Sequence, residues 1–193
     1  STSITILLRL SVTDCNTSLL EMMATHDVSH ACLVQRGHVY GYDNSYIVDS
    51  ARRYPGRLLP VVILDPQDPQ TATTYRAMVR DEHVRGFRMA QSRPHLLDTG
   101  WLCSPPAMEV WRACADLGTP MTIIVFMNHL IYQLPLIKII ARMFPDLPIL
   151  LDHGAMPFGM TQYEVNLAQQ EGRPIVMPPP PHFGIDHTIA IFE

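Results

Sequence analysis

Five side chains stand where apolar runs of the sequence stop. Gln35 follows Ala31-Cys32-Leu33-Val34, and Asp65 follows Leu59-Pro60-Val61-Val62-Ile63-Leu64. Arg88 closes Val84-Arg85-Gly86-Phe87-Arg88, His129 lies just past Met121-Thr122-Ile123-Ile124-Val125-Phe126, and His153 ends Ile149-Leu150-Leu151-Asp152. An imidazole at a strand end can take a proton, hold a metal or bind substrate. A guanidinium there can grip a carboxylate through two parallel hydrogen bonds. Each has an ordinary alternative. His153 could tie a loop to the rim, and Arg88 could pair with a neighbouring acid. His129 could cap the following helix, and Asp65, before Pro66, is a natural turn former. Tyr40, Tyr42, Asp43 and Asn44 follow the first of these runs, where they would line a binding mouth or simply start a helix.

Several chemistries find no support. A zinc or manganese centre needs converging His, Asp or Glu side chains, and the chain has no H-x-H and no H-E-x-x-H. G-x-S-x-G, the nucleophile turn of many serine hydrolases, is absent, as are G-x-G-x-x-G and the phosphate-binding G-x-x-x-x-G-K-[ST]. Cys15, Cys32, Cys103 and Cys114 form no C-x-x-C pair and read as reduced thiols of a cytoplasmic protein. With 14 Lys+Arg against 18 Asp+Glu, the chain lacks the basic footprint of a nucleic-acid binder. No apolar run reaches the ~18–20 residues of a membrane span. The longest, Met121 to Ile140, is broken by Asn128, His129, Gln133, Pro135 and Lys138. Arg9 interrupts the first apolar stretch, and no basic region precedes it, so it does not read as a signal peptide.

The elements that must position these residues alternate. Asn16 or Thr17 could cap a helix carrying Leu19, Leu20 and Met23. Asn44 can cap a helix running to about Tyr54, and Pro55-Gly56 stops it. Asp68 offers the next cap, ahead of a stripe of Ala72, Tyr75 and Val79. Pro105-Pro106 opens a helix whose Ala107, Val110, Trp111 and Cys114 share a face, and Gly118 ends it. Pro135 can start a further helix with Leu136, Ile139, Ile140 and Met143 turned inward, and Pro145 ends it. The four prolines from Pro178 to Pro181 predict a polyproline loop with His182 and His187 beside it. Thr188-Ile189-Ala190-Ile191-Phe192 looks like a strand.

Near-continuous apolar strands between amphipathic helices predict a parallel sheet covered on its faces. The missing nucleotide motifs favour a barrel over an open sheet. The predicted fold is therefore α/β, a parallel (β/α) barrel of TIM type, partial or distorted, in one domain over residues 1–193. Such a barrel has about 250 residues. With no initiator Met and a strand-like end, this 193-residue chain is expected to lack sequence at one or both ends.

The segments Leu33-Val34-Gln35 with Tyr40-Gly41-Tyr42-Asp43-Asn44, and Pro55-Gly56-Arg57-Leu58 leading to Val62-Ile63-Leu64-Asp65-Pro66, resemble the amidohydrolase-related group of barrel enzymes. So do Val84-Arg85-Gly86-Phe87-Arg88 and the stretch from Phe144-Pro145-Asp146-Leu147-Pro148 to Leu151-Asp152-His153-Gly154. The resemblance covers about Ser29 to Pro157. It implies a distorted eight-stranded barrel and an activity like that of pyrone-dicarboxylate lactonases or nonoxidative decarboxylases of aromatic acids. His153 matches the group's sixth-strand histidine, and Arg88 an arginine that would hold a substrate carboxylate. Other features of the group have no counterpart. Ile4 to Leu10 stands where its first-strand H-x-H belongs. Ile124 or Val125 stands at its fifth-strand histidine, with His129 a few residues late. No eighth strand with its aspartate precedes Glu193.

The expected function is hydrolysis of a small carboxylated cyclic substrate such as a lactone. His153 would be catalytic, and Arg88, Tyr40, Asn44 and His129 would bind substrate. The alternatives are a metal-dependent decarboxylase of the same group and a non-catalytic barrel fragment serving as a binding or assembly module. The cofactor would be none or a divalent metal, zinc or manganese. The partner would be a small carboxylate, with a homo-oligomer left open and neither nucleic acid nor membrane involved.

Overall fold

A computed structural model describes residues 15–90, 100–124, 130–152, 169–172, 174 and 185–192. The reading of Ile4 to Leu10 and of the proline run falls outside them. Five strands, β1 (Ala31–Val34), β2 (Leu58–Val62), β3 (Gly86–Met89), β4 (Met121–Ile123) and β5 (Ile149–Leu151), form one sheet in the order of the chain. Every neighbouring pair is parallel. Consecutive parallel strands, joined by crossovers that contain helix, make a curled half of a TIM-type barrel, as the sequence pattern predicts.

The helices among the described residues are α1 (Cys15–Thr25), α2 (Gly37–Tyr40), α3 (Ser45–Arg53), α4 (Thr71–Asp81), α5 (Pro105–Leu117), α6 (Leu130–Met143) and α7 (Ile185–Phe192). A 3-10 turn spans Gly100–Cys103. Register partners in a parallel pair share a face of the sheet. One face carries Val62, Phe87, Met89, Met121 and Ile123, all buried with the helix residues Tyr75, Val110, Trp111, Cys114, Leu134, Ile137 and Ile140. A second cluster of Leu19, Met23, Val28, Ala31, Ala51 and Leu58 seats α1 on the first two strands. The opposite, inner face carries Arg88, Thr122 and Leu150 in mutual register.

The stripe on α5 is as predicted, with Ala107, Val110, Trp111 and Cys114 all fully buried. Ser104 caps this helix, and Gly118, left-handed at φ 62, stops it.

Other boundaries differ from expectation. Pro135 lies inside α6, not at its start. The buried stripe is Gln133, Leu134, Ile137 and Ile140, while Ile139 and Met143 are more than half exposed. Thr188 to Phe192 is not a strand but the end of α7, which packs on α6, and Lys138 donates to the Ile191 carbonyl. His187 is accordingly helical rather than part of a loop. So short an apolar run carries no periodicity that separates helix from strand.

Asp68 precedes α4 by a turn, its carboxylate accepting from the Gln70 N–H at 2.8 Å, and Gln70 is the residue that leads into the helix. Asn16 and Thr17 lie inside α1, and Asn16 donates to the Ser50 hydroxyl at 3.0 Å. Asn44 precedes α3, but its side chain makes no cap bond. No helix among the described residues is long and apolar enough to cross a membrane.

Candidate functional site

Parallel strands deliver their C-terminal ends to one rim, and the loops that follow them build the site of a β/α barrel. Here the loop after β1 is fixed by buried amides. Gln35, 1% exposed, donates from Nε2 to the Asp43 carbonyl, and its own N–H donates to Val61 O at 3.1 Å. Asn44, 5% exposed, donates from Nδ2 to the carbonyls of Tyr42 and Ile63, both at 2.9 Å, and its Oδ1 accepts from the Ile63 N–H at 3.0 Å. These bonds stitch the β1 loop to the end of β2.

Asp43 supplies the bond at the start of α3 that Asn44 was expected to give. Its Oδ1 accepts from the Ser45 N–H at 2.9 Å, which holds the carboxyl below its ordinary pKa. Tyr40 is half exposed and stacks on Tyr46, with ring centres 6.5 Å apart and planes 16° from parallel. Asp65 forms a turn, its Oδ1 accepting from the Gln67 N–H at 3.0 Å.

Arg88 is a charged residue of the inner face. It is 6% exposed, and its Nη2 donates to an Asp152 carboxylate oxygen, an ion pair spanning β3 to the end of β5. Its Nε–H is buried without an acceptor among the described residues. The hydroxyl of Thr122, the register partner of Arg88 on β4, is likewise buried without a partner among them. Gly86, two residues before Arg88, lets this part of the sheet close up. A Cβ there would stand 3.3 Å from both the Pro120 carbonyl oxygen and a Val61 methyl.

Of the expected site residues, Arg88, Tyr40 and Asn44 are described, whereas His129 and His153 lie outside the described residues. Sequence reasoning gave Asp152 and Thr122 no role. Strand register was the signal that could have found them. Thr122 lies beside Arg88, and Asp152 is two residues beyond Leu150, so all project from one face. No three His, Cys, Asp or Glu side chains among the described residues converge to hold a metal ion, and the Asp152 carboxylate is engaged by Arg88.

A half-barrel of parallel β/α units with a buried arginine on its inner face defines the class: a partial TIM barrel. A family model described as amidohydrolase matches residues 13–176, and the chain belongs to that family. No curated protein matches it.

Solved structures share the fold, among them the three that follow. A 5-carboxyvanillate decarboxylase from Novosphingobium aromaticivorans, with bound manganese, matches at a TM-score of 0.57 and 16% identity over 80% of this chain and 54% of that one. A probable 2-pyrone-4,6-dicarboxylic acid hydrolase from Acinetobacter baumannii, with citric acid bound, matches at 0.54 and 16% over 92% of this chain and 80% of that one. A TIM-barrel protein from Bordetella bronchiseptica matches at 0.55 and 20% over 80% and 56%. The chain thus spans about half the length of the decarboxylase.

Proposed function

We propose that this chain is a hydrolase that opens a small carboxylated ring such as a lactone, and that Arg88 holds the carboxylate. One observation carries the reading. Arg88 is desolvated on the inner face of the sheet, and its Nε–H has no acceptor among the described residues. A buried donor without a partner costs about 1–3 kcal/mol, and a carboxylate oxygen would satisfy it with a charge-assisted bond. The substrate's carboxylate would sit on Arg88, and Tyr40 and the loop held by Asn44 would line the mouth. His153 would polarise the scissile carbonyl or position the attacking water, and His129 would help bind the substrate. Water adds to the carbonyl carbon, the ring C–O bond breaks, and the ring oxygen leaves as an alcohol or enol. The acting protein is expected in the cytoplasm with a small carboxylate as its partner; its homo-oligomeric state is open.

The second reading, a decarboxylase, is favoured by the likeness to the manganese-bound 5-carboxyvanillate decarboxylase. A divalent metal, zinc or manganese, would serve that chemistry, but the described residues supply no ligand set for one. The two readings separate in one assay. Purified protein is incubated with 2-pyrone-4,6-dicarboxylate and, separately, with 5-carboxyvanillate, before and after chelation and manganese addition. Ring opening that survives chelation supports the lactonase. Carbon dioxide release that depends on manganese supports the decarboxylase. Neither product, under all conditions, refutes both and leaves the non-catalytic binding module.

A further inference from the structure

One hydroxyl and one acid stand around Arg88, and both the hydroxyl and the Nε–H of Arg88 itself lack a partner among the described residues. The guanidinium has one end occupied by Asp152 and its Nε–H free of any acceptor among the described residues. The Thr122 hydroxyl, buried and unpartnered among those residues, belongs to the residue in register with Arg88 on the next strand. Adjacent strands lie about 4.8 Å apart, so side chains from register partners reach a common ligand atom. An oxygen placed over this pair would accept from the Nε–H and from the Thr122 O–H at once. Asp152, its side chain 18% exposed, flanks the same guanidinium with a full negative charge. Arg88 and Asp152 thus cancel formally, and the local field holds little excess positive charge for an incoming anion.

We infer that Thr122 and Asp152 set the specificity of the Arg88 site: Thr122 is its second donor, and Asp152 restricts it to a singly charged carboxylate over a tetrahedral dianion such as phosphate. The inference rests on the carboxylate role proposed for Arg88 and deepens it. The physics is direct. A carboxylate brings one negative charge and a planar oxygen edge that fits the Nε side of a guanidinium. Phosphate at neutral pH brings up to two charges and sets them against Asp152 in a poorly screened site, where like charges repel strongly. A carboxylate group on a small ring is therefore accepted, and a phosphate ester of similar size is refused. Thr122 has a positioning role and is not asked to move a proton.

The test is calorimetric titration of the whole chain with isophthalate, furan-2-carboxylate and inorganic phosphate. Wild type, Thr122→Val, Thr122→Ser, Asp152→Asn and Arg88→Lys are compared. Thr122→Val keeps the shape and removes the donor, so carboxylate affinity should fall about fivefold, as expected for one lost hydrogen bond. Thr122→Ser should restore it, which a merely structural role for the methyl-bearing side chain would not do. Asp152→Asn still accepts from Arg88 but is neutral, so phosphate affinity should rise at least tenfold more than carboxylate affinity. Arg88→Lys should weaken every ligand.

Carboxylate binding that responds to Arg88→Lys but not to Thr122→Val overturns the donor role. An unchanged carboxylate-to-phosphate ratio in Asp152→Asn overturns the charge role. Both results leave the proposed function standing. Conversely, carboxylate binding with all these responses but no ring opening of any lactone sustains the site and removes the hydrolase. If wild type binds no carboxylate at all, the inference and the carboxylate role of Arg88 fall together.

Discussion

At the scale of single residues, the rim is organised by uncharged amides as much as by the charged pair. Asn44 donates to two carbonyls and accepts from one N–H, joining the β1 loop to Ile63 at the end of β2. An asparagine is suited to this because it offers donors and an acceptor on one small planar group. Asn44→Asp keeps the volume but turns the donors into an anion facing two carbonyl oxygens. It should destabilise the chain by about 2–4 kcal/mol, more than Asn44→Ala, because it leaves a buried charge unpaired rather than a buried bond unmade. Urea titrations of the two variants check this, and an Asp variant as stable as the Ala variant would contradict the bonding pattern. The position of Arg88 near the end of its strand was readable in the sequence, because it is a charged residue next to the last one of a short run that ends at Met89. The Asn44 network was not, since a residue ahead of a helix reads as a cap. The bond that starts α3 comes instead from Asp43, one position earlier. Asp152 escaped notice for a similar reason. Its partner is 64 residues away in sequence, and only strand register brings the two together.

At the scale of elements, α5 was the most legible segment because every local signal agreed. Prolines stand at its start, Ser104 caps it, four apolar residues recur at helical spacing, and Gly118 takes the left-handed conformation that ends it. Trp111 is the anchor of this helix. It is fully buried, and its indole N–H donates to the Leu102 carbonyl at 3.1 Å, tying α5 to the 3-10 turn that precedes it. Trp111→Ala should cost about 3–5 kcal/mol from lost packing and the cavity left behind. Trp111→Phe retains most of the ring area and should cost less, the remainder being the orphaned carbonyl. A loss below about 1 kcal/mol for the alanine variant in denaturant titration contradicts this role. By contrast α6 and α7 conflicted with their local signals. A proline inside α6 hid its first turn, and α7 was too short to show a period. These elements are fixed by packing against each other, which composition does not display.

At the scale of the whole molecule, the parallel order β1 to β5 was legible because buried strands in such a sheet are apolar throughout rather than alternating. The same burial places titrating groups where they govern global stability. Tyr75 on α4 donates to the Thr119 hydroxyl at 2.7 Å, and Cys114 on α5 lies in the same fully buried region. Burial pushes the Cys114 thiol up to about 12 and raises the Tyr75 phenol as well, because each would lose its water on ionising. The sign of the effect on stability follows from proton counts. The unfolded chain gives up the Cys114 proton near 9.0, the ordinary value, while the folded chain keeps it to about 12. Across that window the folded state binds more protons, so unfolding becomes easier as pH rises. The stabilisation is complete below pH 9 and is progressively lost above it, with a slope approaching about 1.4 kcal/mol per pH unit for one proton. Cys32 and Cys103, raised in the same direction by partial burial, and Tyr75 add to the fall. Unfolding free energies measured in urea from pH 7.5 to 10.5 should therefore decline for the wild type. They should decline less steeply for Cys114→Ala, whatever that variant loses at neutral pH. Parallel curves for the two proteins would mean that the Cys114 thiol titrates normally, and that the region between α4, α5 and β4 admits water.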